Sequence, residues 1–343
     1  MIDCTDCTIE SLALYQVTAH SELSPASAGA MQLNEDLKRL MLSYFFSSFK
    51  SEPLYTFSQD AFDEEDSVAS RVKFLFENPD SFSDEARKIA SILQEASAHP
   101  QVKDGNLYIV FFKNCRFHNE ECDAIGLFKA EVMETYIDLV QTPSGIRIER
   151  KEGFSTSKID KGCIICNHNA SKGYVMNIVD TVNKNKNANY WADFFLRATL
   201  RKDSRFHTKN TLKSVSEFIT KELPKEKSIS KMEQIDTLNK TMDYLNKHDK
   251  FNTGEYSDSV LGDDETKSKF REFLSKRGDD IGDWDNFPIS EETVRKSTKF
   301  MKRVIKLGKD FSIYVHGDTD LMEKGFDQEK GLQYYQFFFS SEK

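Results

Sequence analysis

The chain has 343 residues, enough for two ordinary domains or one large domain with insertions, and 38% hydrophobic residues with 27 Phe can fill real cores. Only seven residues are Pro and 30% are charged, which excludes a low-complexity or largely disordered protein. A formal net charge of -9 excludes a protein that coats nucleic acid through bulk positive charge, so any polyanion site must be local. Local sites are physically allowed, because exposed charges farther apart than a Debye length of about 8–10 Å are largely screened from one another.

In chain order, the alternating run from Thr8 to Val17 predicts a strand. Leu33, Leu37, Leu40, Met41, Tyr44, Phe45 and Phe49 then recur at three- and four-residue steps, one apolar face of a helix. After the acidic loop QDAFDEED come two more helical patterns, one through Val68, Val72, Leu75 and Phe76, the other through Ile89, Ile92, Leu93 and Ala96 with Ser83 as its N-cap. From Asp104 to Asp180 the period is that of strands, in DGNLYIVFFK, GLFKAEVMETYIDL, GIRIERK, KGCIICN and GYVMNIVD. Five strands in succession are expected to form an antiparallel meander with the earlier helices on one face.

Beyond Asp180 the pattern turns helical again. Tyr190, Trp191, Phe194 and Phe195 start one helix, Leu212, Val215, Phe218, Ile219 and Leu223 mark a second, and Ile235, Leu238, Met242 and Leu245 a third. FNTGEYSDSVLGDDETK reads as a loop, and Phe270, Phe273 and Leu274 as a short helix. PISEETVRKSTKFMKRVIK starts with Pro288 and the N-cap candidate Ser290, carries Glu291 and Glu292 in its first turn, and ends in Lys302, Arg303 and Lys306, which suits a helix macrodipole. Two strand patterns, DFSIYVHGD and GLQYYQFFFS, close the chain. The expectation is an α+β protein: N-terminal helices on a mainly antiparallel sheet over residues 1–180, then a helix-rich part with a terminal strand pair over 181–343.

Charge is distributed unevenly. From Asn183 to Lys221 there are nine Lys or Arg against three acids. If their helix continues, Arg197 and Arg201 share a face, with Lys202, Arg205 and Lys209 following at the junction to the next helix. A second run places Arg295, Lys296, Lys299, Lys302, Arg303, Lys306 and Lys309 against only Glu291 and Glu292. Guanidinium groups grip phosphate oxygens in forked hydrogen bonds, and every phosphate neutralised releases counterions. The candidate DNA-binding residues are therefore Arg197, Arg201, Lys202, Arg205 and Lys209 in the first run and Arg295, Lys299, Lys302 and Arg303 in the second. The competing reading of each run is a solvated helix face.

Other motifs carry less. Cys4 with Cys7 and Cys163 with Cys166 are two C-x-x-C pairs, a spacing zinc sites use, but Cys163 and Cys166 lie in a strand pattern where residues three apart point to opposite faces. Reduced, packed thiols are expected instead. His316, Asp318 and Asp320 are the nearest approach to a metal nuclease motif, and a turn explains them as well. His207 beside the basic junction fits a phosphate contact or a helix cap equally. There is no G-x-S-x-G, phosphate-binding P-loop or H-E-x-x-H. Residues 1–17 lack the features of a secretory signal, and no run approaches the roughly 18 apolar residues of a membrane helix, so a cytoplasmic location is expected.

DKGCIICN, YWADFFLRATLRKDSRFHTKNTL and VIKLGKDFSIYVHGDTDLMEKGFDQEKGLQYYQFFF together resemble bacterial nucleoid-associated proteins of the NdpA (YejK) type, especially those of Bacteroidetes-like bacteria. The resemblance spans nearly the whole chain and is most specific from Tyr190 to Leu212 and from Val304 to Phe339. It implies a cytoplasmic, nucleoid-located protein with affinity for DNA and no established enzymatic activity, and it brings no catalytic motif; the reading is of a non-enzymatic protein that binds double-stranded DNA, with no cofactor or metal expected. Two partner arrangements are compatible with it: direct DNA contact, or recruitment through an acidic or DNA-bound nucleoid protein. A homodimer would double the basic surface, with Tyr334–Phe339 supplying an edge strand or apolar patch, unless that run is a central core strand.

Overall fold

The computed structural model describes residues 2–18, 24–25, 31, 33–49, 53–97, 103–182, 190–277, 285–297, 304–315 and 321–341. The chain divides into two compact units, Met1–Arg201 and Lys202–Lys343. The first contains β1 (Ile2–Asp3), β2 (Thr8–Val17), β3 (Ser24–Pro25), α1 (Glu35–Phe46), β4 (Leu54–Phe57), α2 (Val68–Glu77), α3 (Phe82–Ala96), β5 (Gly105–Phe117), β6 (Glu120–Ala130), β7 (Met133–Thr142), β8 (Gly145–Phe154), β9 (Lys161–Cys166), β10 (Val175–Asp180) and β11 (Ala198–Leu200).

Nine of these strands form one antiparallel sheet in the order β11-β4-β10-β9-β6-β5-β2-β3, with β1 also on β5. β5 and β6 are joined by His118 and Asn119, both at positive φ (53° and 68°), while Phe117 pairs with Glu120. That is the backbone of a two-residue type I′ hairpin. The expected meander is interrupted: β6 pairs directly with β9, and β7–β8 pair only with each other. The physical reason is burial. β9 is buried at every position, whereas β7 and β8 alternate apolar with charged residues that neutralise one another, as Lys151 does Asp138 and Arg150 does Glu152. Only a strand apolar on both sides can lie inside the sheet.

The helices cover both faces rather than one. Ile109, Phe111, Ile125, Leu127, Cys163 and Ile165 meet α2 and α3 through Val72, Leu75, Ile89 and Leu93. Their neighbours Val110, Phe112, Ala124, Phe128, Ile164 and Cys166 meet α1 through Tyr44 and Phe45. Phe45 stacks on Phe128 at 4.2 Å between ring centroids. Asn34 starts α1 by accepting the Leu37 N–H at 2.8 Å, and Ser67 starts α2 by accepting that of Ser70 at 3.1 Å. Ser83 lies inside α3, which is entered from the short turn Pro79–Ser81, so its expected capping role falls away.

The first unit runs past Asp180 to Arg201 because the segment after it fills the core. Tyr190–Phe195 form a single wide turn in which Trp191 is fully buried and its Nε1–H donates to the Gly162 carbonyl at 3.3 Å. Tyr190 donates to Glu131 at 2.7 Å, and Glu131 also meets the buried ammonium of Lys129 at 3.2 Å, while Lys161, equally buried, meets Asp180 at 2.7 Å. Burial lowers the pKa of Lys129, and the same cause pushes the Tyr190 phenol far up. Removing one member of such a cluster leaves a buried charge unpaired. Replacing Trp191 by Ala is expected to cost about 3–5 kcal/mol in urea unfolding; a loss under about 1 kcal/mol would show that this segment is not core.

The second unit contains α4 (Ser204–Glu217), α5 (Leu223–Glu226), α6 (Lys231–Lys247), β12 (Lys250–Phe251), α7 (Thr253–Val260), α8 (Asp264–Ser275), β13 (Phe287–Pro288), α9 (Glu291–Ser297), β14 (Val304–Leu307), β15 (Phe311–Tyr314), β16 (Met322–Asp327) and β17 (Leu332–Phe337). Its helices enclose Phe218, Phe251, Tyr256, Phe270 and Phe287. The stretch read as a loop from Phe251 to Lys267 is mostly α7 and the start of α8. Asn252 accepts the Glu255 N–H at 2.9 Å and Asp263 that of Thr266 at 3.0 Å. Polar residues that suggest a loop are thus two N-caps set close together, with Gly262 at φ 75° turning the chain between the helices.

Among the described residues, the two C-terminal strand patterns do not pair with each other. β14 pairs with β15 and β16 with β17, and Ile305, Val315 and Met322 close against Ile235 of α6. Lys306 is in β14, not at a helix end. Tyr334, Phe337, Phe338 and Phe339 are exposed, so this run is a hairpin edge and not a central core strand. No helix among the described residues is long and apolar enough to cross a membrane.

Candidate nucleic-acid interface

α4 buries Leu212 and Val215, and the wide turn that extends it, Phe218–Glu222, buries Phe218 and Ile219. These apolar positions fix which way the remaining residues point. Lys209, Lys213, Glu217 and Lys221 follow at four-residue steps, a ridge along the opposite side, and the three lysines are exposed. With Leu212, Ser216, Thr220 and Ser297 of α9 they line a groove of about 410 Å³. Its one acid is already committed: Glu217 bonds Arg277 and lies 3.4 Å from Lys221. Burial alone would raise its carboxyl, but Arg277 and Lys221 outweigh burial and hold it below the usual carboxylate range.

α4 is anchored at its start and along its flank. Asp203 accepts the N–H groups of Arg205 and Phe206 at 3.1 Å each. The Thr208 hydroxyl accepts the Ser290 N–H at 2.9 Å, while Ser290 in turn accepts that of Thr293 at 3.3 Å, the N-cap role expected of it. Arg205 bonds Glu292, which also accepts from Lys296 at 2.7 Å. The hydrogen bond from Lys296, with the Arg205 charge, holds the Glu292 carboxyl below its ordinary value despite partial burial. α4 and α9 are thereby clamped side by side, with the exposed Arg295 at the end of α9.

The sequence candidates separate into distinct roles. Arg197 does not continue a helix. It sits at φ 48°, is followed by β11, and bonds Asp60 at 2.6 Å and Glu64 at 2.7 Å, so it shares no helical face with Arg201. The Arg201 N–H donates to the Leu54 carbonyl at 3.0 Å, and Arg201 ends the first unit. Arg205, its side chain 11% exposed, is spent on Glu292. Lys202, Lys209 and Arg295 are exposed. Among the described residues, no ion pair engages Lys202, Lys213 or Arg295. Lys299, Lys302 and Arg303, and likewise His316, Asp318 and Asp320, lie outside the described residues. His207 stacks on Phe287 at 5.2 Å between centroids, a packing role. Lys213 is not among the sequence candidates, yet its signal is legible: it stands four residues after Lys209 and beside Leu212, which marks the buried face.

The cysteines also depart from expectation. Cys163 and Cys166 do face opposite sides of the sheet, in separate cores. Cys7 and Cys115 are joined in a disulfide, however, across a sequence separation of 108 that the pairing of β1 and β2 with β5 brings together.

Replacing Arg205 by Met should destabilise the chain by about 1.5–3 kcal/mol, since it strands Glu292 of a charged hydrogen bond. Replacing Lys213 by Ala should change stability by no more than about 0.5 kcal/mol. Urea titration distinguishes the two, and equal losses would contradict the division of roles.

Residues 16–331 match the family described as nucleoid-associated protein YejK. No curated protein matches the chain at a significant level.

Proposed function

Since the chain belongs to the nucleoid-associated protein YejK family, we propose that it binds double-stranded DNA through the phosphate backbone, with low sequence specificity and without catalysis. The observation that carries this reading is the α4–α9 face: an acidic protein exposes Lys209 and Lys213 on α4, Lys202 just before it and Arg295 on α9, while Glu292 and Glu217 are held by Arg205 and Arg277. Lysine is a compact point charge on a flexible stem, which suits contacts that position a duplex without reading it. Arg197 and Arg205 serve the fold in this account. Lys299, Lys302 and Arg303 follow α9 in sequence, and they and Arg201 remain in the proposal on their charge alone.

The location that follows is the nucleoid, within the cytoplasm, with DNA itself as the partner. A homodimer is supported by exposed apolar surface: Tyr334 and Phe337–Phe339 at one end, and Ile137, Leu139, Ile146 and Ile148 on one face of the β7–β8 hairpin. Light scattering of the purified chain should give twice the monomer mass; a monomer at micromolar concentration would remove the dimer from the account.

Fluorescence anisotropy of a labelled duplex across a salt series tests the DNA reading. Log affinity should fall linearly with log salt. The double variant Lys209→Ala, Lys213→Ala should bind less tightly, with a slope smaller by about 0.9 for each phosphate it no longer neutralises. An unchanged slope would remove these lysines from the interface, and no binding at low salt would remove direct DNA contact.

A further inference from the structure

The cysteines gather where β1, the start of β2 and the β5–β6 hairpin meet. Cys4-Thr5-Asp6-Cys7 is a tight turn in which the Cys7 N–H donates to the Cys4 carbonyl at 3.3 Å. Asp3 shapes it by accepting from the Thr5 N–H at 3.0 Å and the Thr5 hydroxyl at 2.7 Å. β1 pairs with β5 at Asp3↔Arg116, which lays the turn against Cys115. Cys122 is the direct cross-strand partner of Cys115. The sulfurs of Cys4, Cys7 and Cys115 lie within 4.8 Å of one another.

This is a C-x-x-C turn facing two cysteines of a hairpin. Thiolates around a tetrahedral zinc ion, each about 2.3 Å from the metal, stand about 3.8 Å from one another, and the three sulfurs already lie within 4.8 Å of one another. We propose that, with the Cys7–Cys115 disulfide reduced, this end of the sheet binds one Zn²⁺ through Cys4, Cys7 and Cys115, with Cys122 as the fourth ligand. The disulfide is the alternative chemical state of the same sulfurs, and the two states exclude each other because zinc takes thiolates. Reduction by a phosphine consumes water, breaks the sulfur–sulfur bond to two thiols and leaves phosphine oxide. Zinc then displaces the thiol protons to solvent. Cys122 packs in the same cluster as Cys166 and turns from it to the metal. Cys163, on the other face, takes no part.

The site is tested on the full chain, reduced with a phosphine and separated from excess zinc chloride, with metal content read by mass spectrometry and thermal unfolding read in parallel. About one zinc per chain is expected, with a rise in Tm that a chelator reverses. The oxidised chain and the Cys4→Ser variant should each lose stoichiometric zinc, while Cys163→Ala retains it. Cys4 is in neither the disulfide nor the fully buried core, so its variant should fold. Cys122→Ser should bind at least tenfold more weakly than the unaltered chain. The proposal is overturned if the reduced chain takes up no zinc, if the oxidised chain or Cys4→Ser binds as tightly as the reduced chain, or if Cys122→Ser is unaffected.

Discussion

The candidate interface depends on the bond between Arg205 and Glu292. It joins α4 to α9, and through Lys296 the same carboxylate settles a second cation. A basic segment on an acidic protein becomes a binding face only if its charges are not consumed internally, and here the internal carboxylates choose which are. Glu292 takes Arg205, Glu217 takes Arg277, and Asp60 with Glu64 takes Arg197. These three arginines, whose planar fork suits a fixed carboxylate, hold the fold, while Lys202, Lys213 and Arg295 stay exposed. The acidic loop from Gln59 to Asp66 is correspondingly less a repulsive surface than a set of counter-charges, since Asp66 also bonds Arg71 at 2.9 Å.

The first unit solves a different problem with the same materials. Its sheet carries helices on both faces, so the strands at its centre read as unbroken apolar runs. Two lysines are nevertheless fully buried beside that core, tolerated because Glu131, Asp180 and Tyr190 surround their ammonium groups. Such a cluster adds little net stability over apolar packing, but it makes the position of Tyr190 and the adjoining Trp191 specific, because any other arrangement leaves a charge unpaired in the interior. The same segment leads directly into β11, and so determines where the first unit ends.

Much of the architecture was legible from period alone. Helices α1, α2, α3, α6 and α8 and strands β2, β5, β9 and β10 follow from apolar spacing, because each buries a face large enough to dominate its pattern. What escaped has identifiable causes. The departure of β7–β8 from the sheet is a matter of pairing, which spacing cannot express. α7 was hidden by its own capping residues, and the turn at Tyr190–Phe195 by an aromatic spacing that suits a longer helix until Arg197 leaves helical geometry at φ 48°. Of the basic residues, sequence located the segment but not the division within it: that Arg205 is spent inside the fold depends on Glu292, eighty-odd positions away along the chain and adjacent in space. The partnership of Cys7 with Cys115 was illegible for the same reason.

The central claim is that DNA lies against the lysine ridge of α4. Covalent labelling of lysines with an amine-reactive reagent, with and without saturating duplex, read by peptide mass spectrometry, locates the contact without altering the chain. The account predicts protection of Lys202, Lys209 and Lys213 at low salt, abolished on raising salt, while the exposed Lys73 of α2 is labelled equally in both states. Unchanged labelling of all three α4-region lysines in a sample that demonstrably binds duplex would contradict it.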